Sequence, residues 1–338
     1  MKHTPFRDTA LSSYRRRARE WSAPMTQALS DATMLDSPIE RRATLRPRGR
    51  RVVALAPLWL LAPSLFLLFL FTYVPILQAL MQAVTLEGFG GKFAGYGFAN
   101  FHRLFADASF WKALENNLVY GVGTVAPSIA LAVLLGVALQ EGTRLNALLR
   151  TVIVFPVVLP LVAVATLFAF VLMPGVGLLD YHLAMLGIAA TNWLGSPDTA
   201  LYAIIGLSIW KNAGYYMLFV LAGLQGISPD LHEAAKLDGA GVTARFFRIT
   251  LPLLKPVLAF ILVIALINVV TQIDHIIVLT GGGPSDSTNI LLNYIFQAAH
   301  QQADTGRAAA ATVVSVAGLL ALSIASLRTL ERGMHYES

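Results

Sequence analysis

The chain has no cysteine, little charge and no phosphate-binding loop. Without cysteine, disulfides and thiolate metal sites are excluded. Only 13% of the 338 residues are charged, against about 25% in ordinary soluble domains. With 56% hydrophobic residues and a mean hydropathy of +0.64, that shortfall points to a membrane protein. A Gly-x-x-x-x-Gly-Lys-Ser/Thr phosphate loop is missing, because Gly90-Gly91-Lys92 is followed by Phe93. The chain is therefore not expected to bind or hydrolyse ATP, and no cofactor is expected in it. The 7 His are scattered, with neither metal-ligand spacing nor a nucleophile–base set, which argues against an intramembrane protease or transferase. A secretory signal is also missing. The first long apolar run begins near Val52, after a long polar tail, and is too long for a signal-peptide core. It is expected to remain as a membrane anchor.

What charge there is sits unevenly. Residues 1–51 hold 12 of the 25 Lys and Arg and only 5 of the 19 Asp and Glu. The basic balance thus describes a tail, expected to be disordered, and not a nucleic-acid surface; Arg48, Arg50 and Arg51 suit a topology anchor against anionic lipid. Residues 52–338 form the membrane domain. Six stretches approach the roughly 20 apolar residues that a bilayer requires: about 53–83, 117–139, 149–173, 200–224, 257–280 and 308–328. Prolines interrupt the first (Pro57, Pro63, Pro75) and the third (Pro156, Pro160). Lys and Arg favour the cytoplasmic side. They occur in the tail, around 140–150 (Arg144, Arg150), in 228–256 and from Arg328 on, whereas the 174–199 loop has none, the 281–307 loop has only Arg307, and the 84–116 loop is mixed, with Lys92, Arg103 and Lys112. The expectation is an all-α polytopic membrane protein with about six transmembrane helices and both termini cytoplasmic.

The most informative stretch is 228–256. Ser228 can cap a helix whose first turn holds Pro229 and Asp230. Ala234 and Ala235 give that helix a small-residue face, and Gly239 is a natural end. Arg245, Phe246, Phe247 and Arg248 suit a membrane surface, and Pro252 and Pro256 punctuate entry into the next apolar run. An ordinary cytoplasmic helical hairpin would need no more than this.

Taken together, Glu233-Ala234-Ala235, Asp238-Gly239-Ala240, Phe246, Ile249, Leu251, Pro252 and Pro256 resemble the EAA loop of binding-protein-dependent ABC importers. The wider match, over about 53–338, is to permeases of the maltose-type carbohydrate importers. It includes Trp210-Lys211 and Ala222-Gly223-Leu224-Gln225. The resemblance implies a maltose-type permease fold in a bacterial inner membrane. It also implies a second, homologous permease as partner, two copies of an ABC ATPase that bind ATP and Mg, and an extracytoplasmic solute-binding protein. Glu233 and Gly239 would be the coupling residues, flanked by Ala234, Ala235, Asp238 and Ala240, with Asp238 a local cap or turn partner. Thr280-Gly281-Gly282-Gly283-Pro284 with Thr288 resembles the Gly-Gly-Pro element after the fifth span of the same family.

Polar residues inside a span are costly and usually face protein or a wet cavity. In the fourth span, Ser208, Lys211, Asn212 and Tyr215 share one helical face, beside Trp210 and Tyr216. In the fifth, Asn268, Thr271, Gln272 and His275 repeat the spacing, with Asp274 at the edge. These faces either line a path for a hydroxyl-rich solute or hold the bundle together by interhelical hydrogen bonds; Lys211 and Asp274 could be a structural ion pair. A carbohydrate is the expected solute. Glycerol phosphate or its diesters come next, because Lys211 suits an anion. An ATP-independent secondary transporter would show inverted repeats, and none is visible. A membrane scaffold would need neither stripe nor loop.

Overall fold

The computed structural model describes residues 50–87 and 93–331, with side chains over 59–87 and 93–328. All of the expected basic tail except Arg50 and Arg51 lies outside those residues. The chain divides into two units, 1–69 and 70–338. In the first unit the described element is α1, Arg50–Leu68, an almost wholly apolar helix.

The second unit opens within a π-helical turn, Phe69–Tyr73, that leads to α2, Val74–Val84. Pro75 follows that turn inside a continuous helical run, where its missing N–H removes a backbone bond and the wider π turn lies directly before it. The stretch 84–116, expected as a loop, is largely ordered. It contains an antiparallel pair, β1 Thr85–Glu87 and β2 Phe93–Tyr96, then α3 Ala99–Ala106 and the first turns of α4 Ala108–Ala138. Asp107 caps α4 by accepting from the Ser109 amide at 2.9 Å, so the helix starts well before the apolar run does. Asn100 fixes the other end of this region. Its side-chain amide donates to the carbonyls of Ala83 (3.0 Å) and Thr85 (2.9 Å), where α2 stops and β1 begins.

Next come α5 Arg144–Val158, α6 Leu161–Val171, α7 Leu178–Met185 and α8 Ala200–Gln225. Then follow α9 Pro229–Leu237, α10 Val242–Arg245, a π-helical turn, α11 Leu251–Leu253 and α12 Lys255–Thr271. The chain ends with α13 Asp274–Leu279, α14 Leu291–Phe296 and α15 Thr305–Glu331. Among the described residues four helical runs are long and apolar enough to cross a membrane: Trp59–Val84, Ala108–Ala138, Ala200–Gln225 and Thr305–Arg328. Counting each of two bent pairs as one span gives up to six: α5 with α6 at 103°, and Val242–Leu253 with α12 at 64°. The third expected span is thus an elbow. The fifth stops at Thr271, short of the expected 280, and resumes as α13 after Gln272-Ile273.

Two cores hold the second unit. In the larger, α4 packs along α8, and α12 and α13 close over them: Tyr120, Ala132, Val133, Ile204, Met217, Val220, Ile261 and Ile276 are buried together. The smaller joins α2, α3, α4, α14 and α15 through Ala83, Leu104, Phe110, Leu291, Tyr294 and Ala309–Ala311. Between helices in lipid, packing and hydrogen bonds replace the hydrophobic drive, which explains the small residues at these contacts. A polar clasp closes the smaller core. Arg307 pairs with Asp107 at 3.0 Å, Arg103 with Asp304 at 3.2 Å, and the Tyr294 hydroxyl donates to Asp107 at 2.7 Å. Such half-exposed pairs contribute up to about 1 kcal/mol each. Burial, with the Asp107 carboxylate behind it, pushes the Tyr294 phenol well up, so it stays a donor across the physiological range. Outside the cores, Val122, Leu134, Phe155, Phe170, Leu218 and Leu320 are exposed, as expected of helices that face lipid or a partner.

Candidate functional site

The loop between the fourth and fifth spans is built by local rules. Ser228 accepts from the Asp230 amide at 3.3 Å, and Pro229 occupies the first turn of α9. At the far end Asp238 is the cap residue and Gly239 adopts φ +79°. The Gly239 amide donates to Lys236 O at 3.1 Å and the Ala240 amide to Ala235 O at 2.9 Å. That pair of bonds is a Schellman closure, which requires a left-handed residue at Gly239. A Cβ on Gly239 would meet no atom within 4 Å, so the demand is on backbone conformation and not on space.

No residue of α9 is buried. Glu233, Ala234, Asp238 and Gly239 are exposed, Ala235 and Ala240 half-exposed, and Leu237 at the helix end and Val242 beyond it stand exposed. Past them, Phe246 and Phe247 meet edge to face at 4.9 Å between ring centres, in the π-helical turn that leads into α11 and α12.

The two polar stripes fare differently. Ser208 and His275 are brought together by Tyr120 of α4, whose hydroxyl lies 3.0 Å from both Ser208 Oγ and His275 Nε2. All three are buried. Lys211 does not pair with Asp274. Its ammonium donates to Pro156 O at 2.9 Å and Leu159 O at 2.8 Å, at the elbow of the third span, while Asp274 is exposed in the first turn of α13. The carbonyls at the break outcompete the carboxylate because the elbow sits beside α8. Asn268 of α12 donates to the Tyr216 hydroxyl at 3.4 Å. Thr271 is exposed and bonds back to Ile267 O at 2.8 Å. Asn212, Tyr215 and Gln272 are half-buried, and Tyr215 packs on Phe219 at 5.1 Å between ring centres.

Sequence reasoning missed a third stripe. Asn117, Tyr120, Thr124 and Ser128 are all buried on α4. They fall at i, i+3, i+7 and i+11, which is one helical face. The same spacing test that found the other two would have found this one. Asn116 beside it pins the glycine-rich segment after α13, donating to Asp286 O at 2.7 Å and Asn289 O at 3.0 Å. That segment folds on itself: Thr280 and Thr288 hydroxyls meet at 2.7 Å, and Thr288 also donates to Gly283 O at 2.7 Å.

The chain is similar to known proteins. The family model "Binding-protein-dependent transport system inner membrane component" matches residues 128–336. The probable ABC transporter permease YurN of Bacillus subtilis is 31% identical over 282 residues, covering 82% of this chain and 96% of that protein. The sn-glycerol-3-phosphate transport system permease UgpA of Yersinia pestis is 34% identical over 288 residues, covering 83% and 96%. A chain of a bacterial alginate ABC transporter, solved with an alginate-pentasaccharide-bound periplasmic protein, is 25% identical with a TM-score of 0.74, covering 84% and 96%. The chain therefore belongs to the inner-membrane components of binding-protein-dependent transport systems, and it is a multi-pass permease subunit of an ABC importer.

Proposed function

We propose that this chain forms half of the path through which an ATP-driven importer moves a carbohydrate, and that α9 is where a separate ATPase docks. The observation that carries this reading is α9 itself. Its shape is set by its own cap and closure, none of its residues is fully buried in its own subunit, and it lies between the two spans that bear the stripes. A helix that owes its own fold so little surface is free to give that surface to a partner. The Lys236, Arg245, Arg248 and Lys255 cluster supports a cytoplasmic position for the loop and hence for both termini.

A second, similar permease would complete the path, with two ATPase copies below and a solute-binding protein outside. ATP and Mg would bind to the ATPases, leaving this subunit non-catalytic and without a cofactor, in the bacterial inner membrane. Of the stripe residues, Asn212, Tyr215, Asn268 and Gln272 combine amide or phenol groups with partial exposure, which suits a hydroxyl-rich solute. Glycerol phosphate stands second, supported by the identity to the Yersinia pestis permease.

The test is reconstitution of the chain with the products of its neighbouring genes. ATP-dependent uptake of maltose or a longer neutral oligosaccharide is expected, with sn-glycerol 3-phosphate as the alternative probe. The chain alone should move neither. Glu233→Lys should leave the ATPase turning over while uptake stops. Uptake by the chain without ATP would refute the reading.

A further inference from the structure

The third span is broken, and one turn of the fourth span grips the break. Pro160 has no N–H, so the carbonyl of Pro156 loses the donor that a continuing helix would supply four residues on. The chain turns by 103° there. The Leu159 amide reaches that carbonyl instead, at 3.3 Å, and Lys211 adds a second, shorter donor to it at 2.9 Å while also taking the Leu159 carbonyl at 2.8 Å. Its charge also faces the C-terminal, negative end of the α5 dipole.

Its neighbours hold the two arms. Trp210 packs on Phe168 of α6, with ring centres 5.2 Å apart. Gly214, one turn on, lies so close to α5 that a methyl group there would sit 2.2 Å from Ile153 O. Residues 210, 211 and 214 thus touch α6, the elbow and α5 in turn. The helix that carries them runs unbroken to Gln225, with three residues between it and α9.

We propose that this turn is a clamp carrying movement of α9 and α8 to α6, with Lys211 as a positioning residue for the elbow and not a ligand for the solute. An ammonium has three donors, and two of them are spent on carbonyls. Two carbonyls thus hold the ammonium at the elbow, which weakens the argument from Lys211 for a phosphate. The proposal rests on the permease reading.

The chain's lack of cysteine allows a direct test. Spin labels at Phe170→Cys on α6 and Leu218→Cys on α8 report the arm-to-clamp distance in the assembled complex, built with cysteine-free partners. Lys211→Met removes the donors and Lys211→Arg keeps them. In Lys211→Met the label distance should broaden. Maximal uptake of maltose or sn-glycerol 3-phosphate, whichever the complex moves, should fall roughly tenfold with KM within about twofold, while ATP hydrolysis continues. Lys211→Arg should restore both within roughly threefold. A raised KM with maximal uptake and distance unchanged would overturn the proposal and make Lys211 a solute ligand. If Lys211→Met does not assemble, Trp210→Leu serves instead: a broadened distance supports the clamp and an unmoved one sinks it. The distance does not depend on transport, so failure of the permease reading would show separately, as a wild-type complex without ATP-driven uptake.

Discussion

The α9 loop and the seam between α4 and α8 are held in opposite ways. Every bond that shapes α9 comes from within a few residues: Ser228 at one end, Gly239 at the other. The seam depends on partners far along the chain, with Tyr120 reaching Ser208 and His275 across 88 and 155 residues. No residue of α9 is buried, while the seam leaves Thr124, Ser128 and Tyr120 almost no access to solvent. Damage should therefore separate cleanly, with the loop losing coupling at intact stability and the seam losing stability first.

The hardest test of that contrast is Gly239→Pro. Proline cannot adopt φ +79° and removes the amide that bonds Lys236 O. The expected penalty is about 3 kcal/mol, roughly a hundredfold in uptake, with the melting temperature of the purified subunit unchanged. A large fall in melting temperature would show that the loop is structural after all. Tyr120→Phe probes the other side. It strands two buried polar groups at a cost of about 1–3 kcal/mol, read as a lower melting temperature with near-normal uptake in the cold. Ser228→Ala should cost about 1 kcal/mol of helix α9 and appear as a several-fold loss of ATP-coupled uptake, again without a thermal shift.

The smallest effect lies outside both regions. Asp180 accepts from the Gly175 amide at 2.8 Å and from the Trp193 indole at 2.7 Å. Those two donors hold its carboxyl below the usual value of 3.8. A lowered folded-state value means that its stabilisation is complete above about pH 4 and is lost as pH falls through the lowered value. Hydrogen exchange at Gly175 should be flat from pH 7 to about 5 after correction for intrinsic rates, and protection should drop only below about 4. Asp180→Asn should remove that drop.

The contrast also explains what could be read from the sequence. The cap, the turn glycine and the glycine-rich segment are local signals, so the loop's residues and bounds were legible. Six apolar runs were legible for the same reason. The hairpin at 85–96 was not, because strands of three and four residues carry too little alternation to register. Pro156 and Pro160 announced a break but not its angle, which is set beside a lysine more than fifty residues later. The Lys211–Asp274 pairing failed because spacing along two helices says nothing about a third element that reaches the cation first.

Gly214 has one more consequence. A helix advances about 1.5 Å and rotates about 100° per residue, so a slip of one residue between α5 and α8 would present Ala213 or Tyr215 to Ile153 O. Either side chain would collide where only a hydrogen fits. The two helices therefore have a single permitted register. The contact thus acts as a register lock between the third and fourth spans.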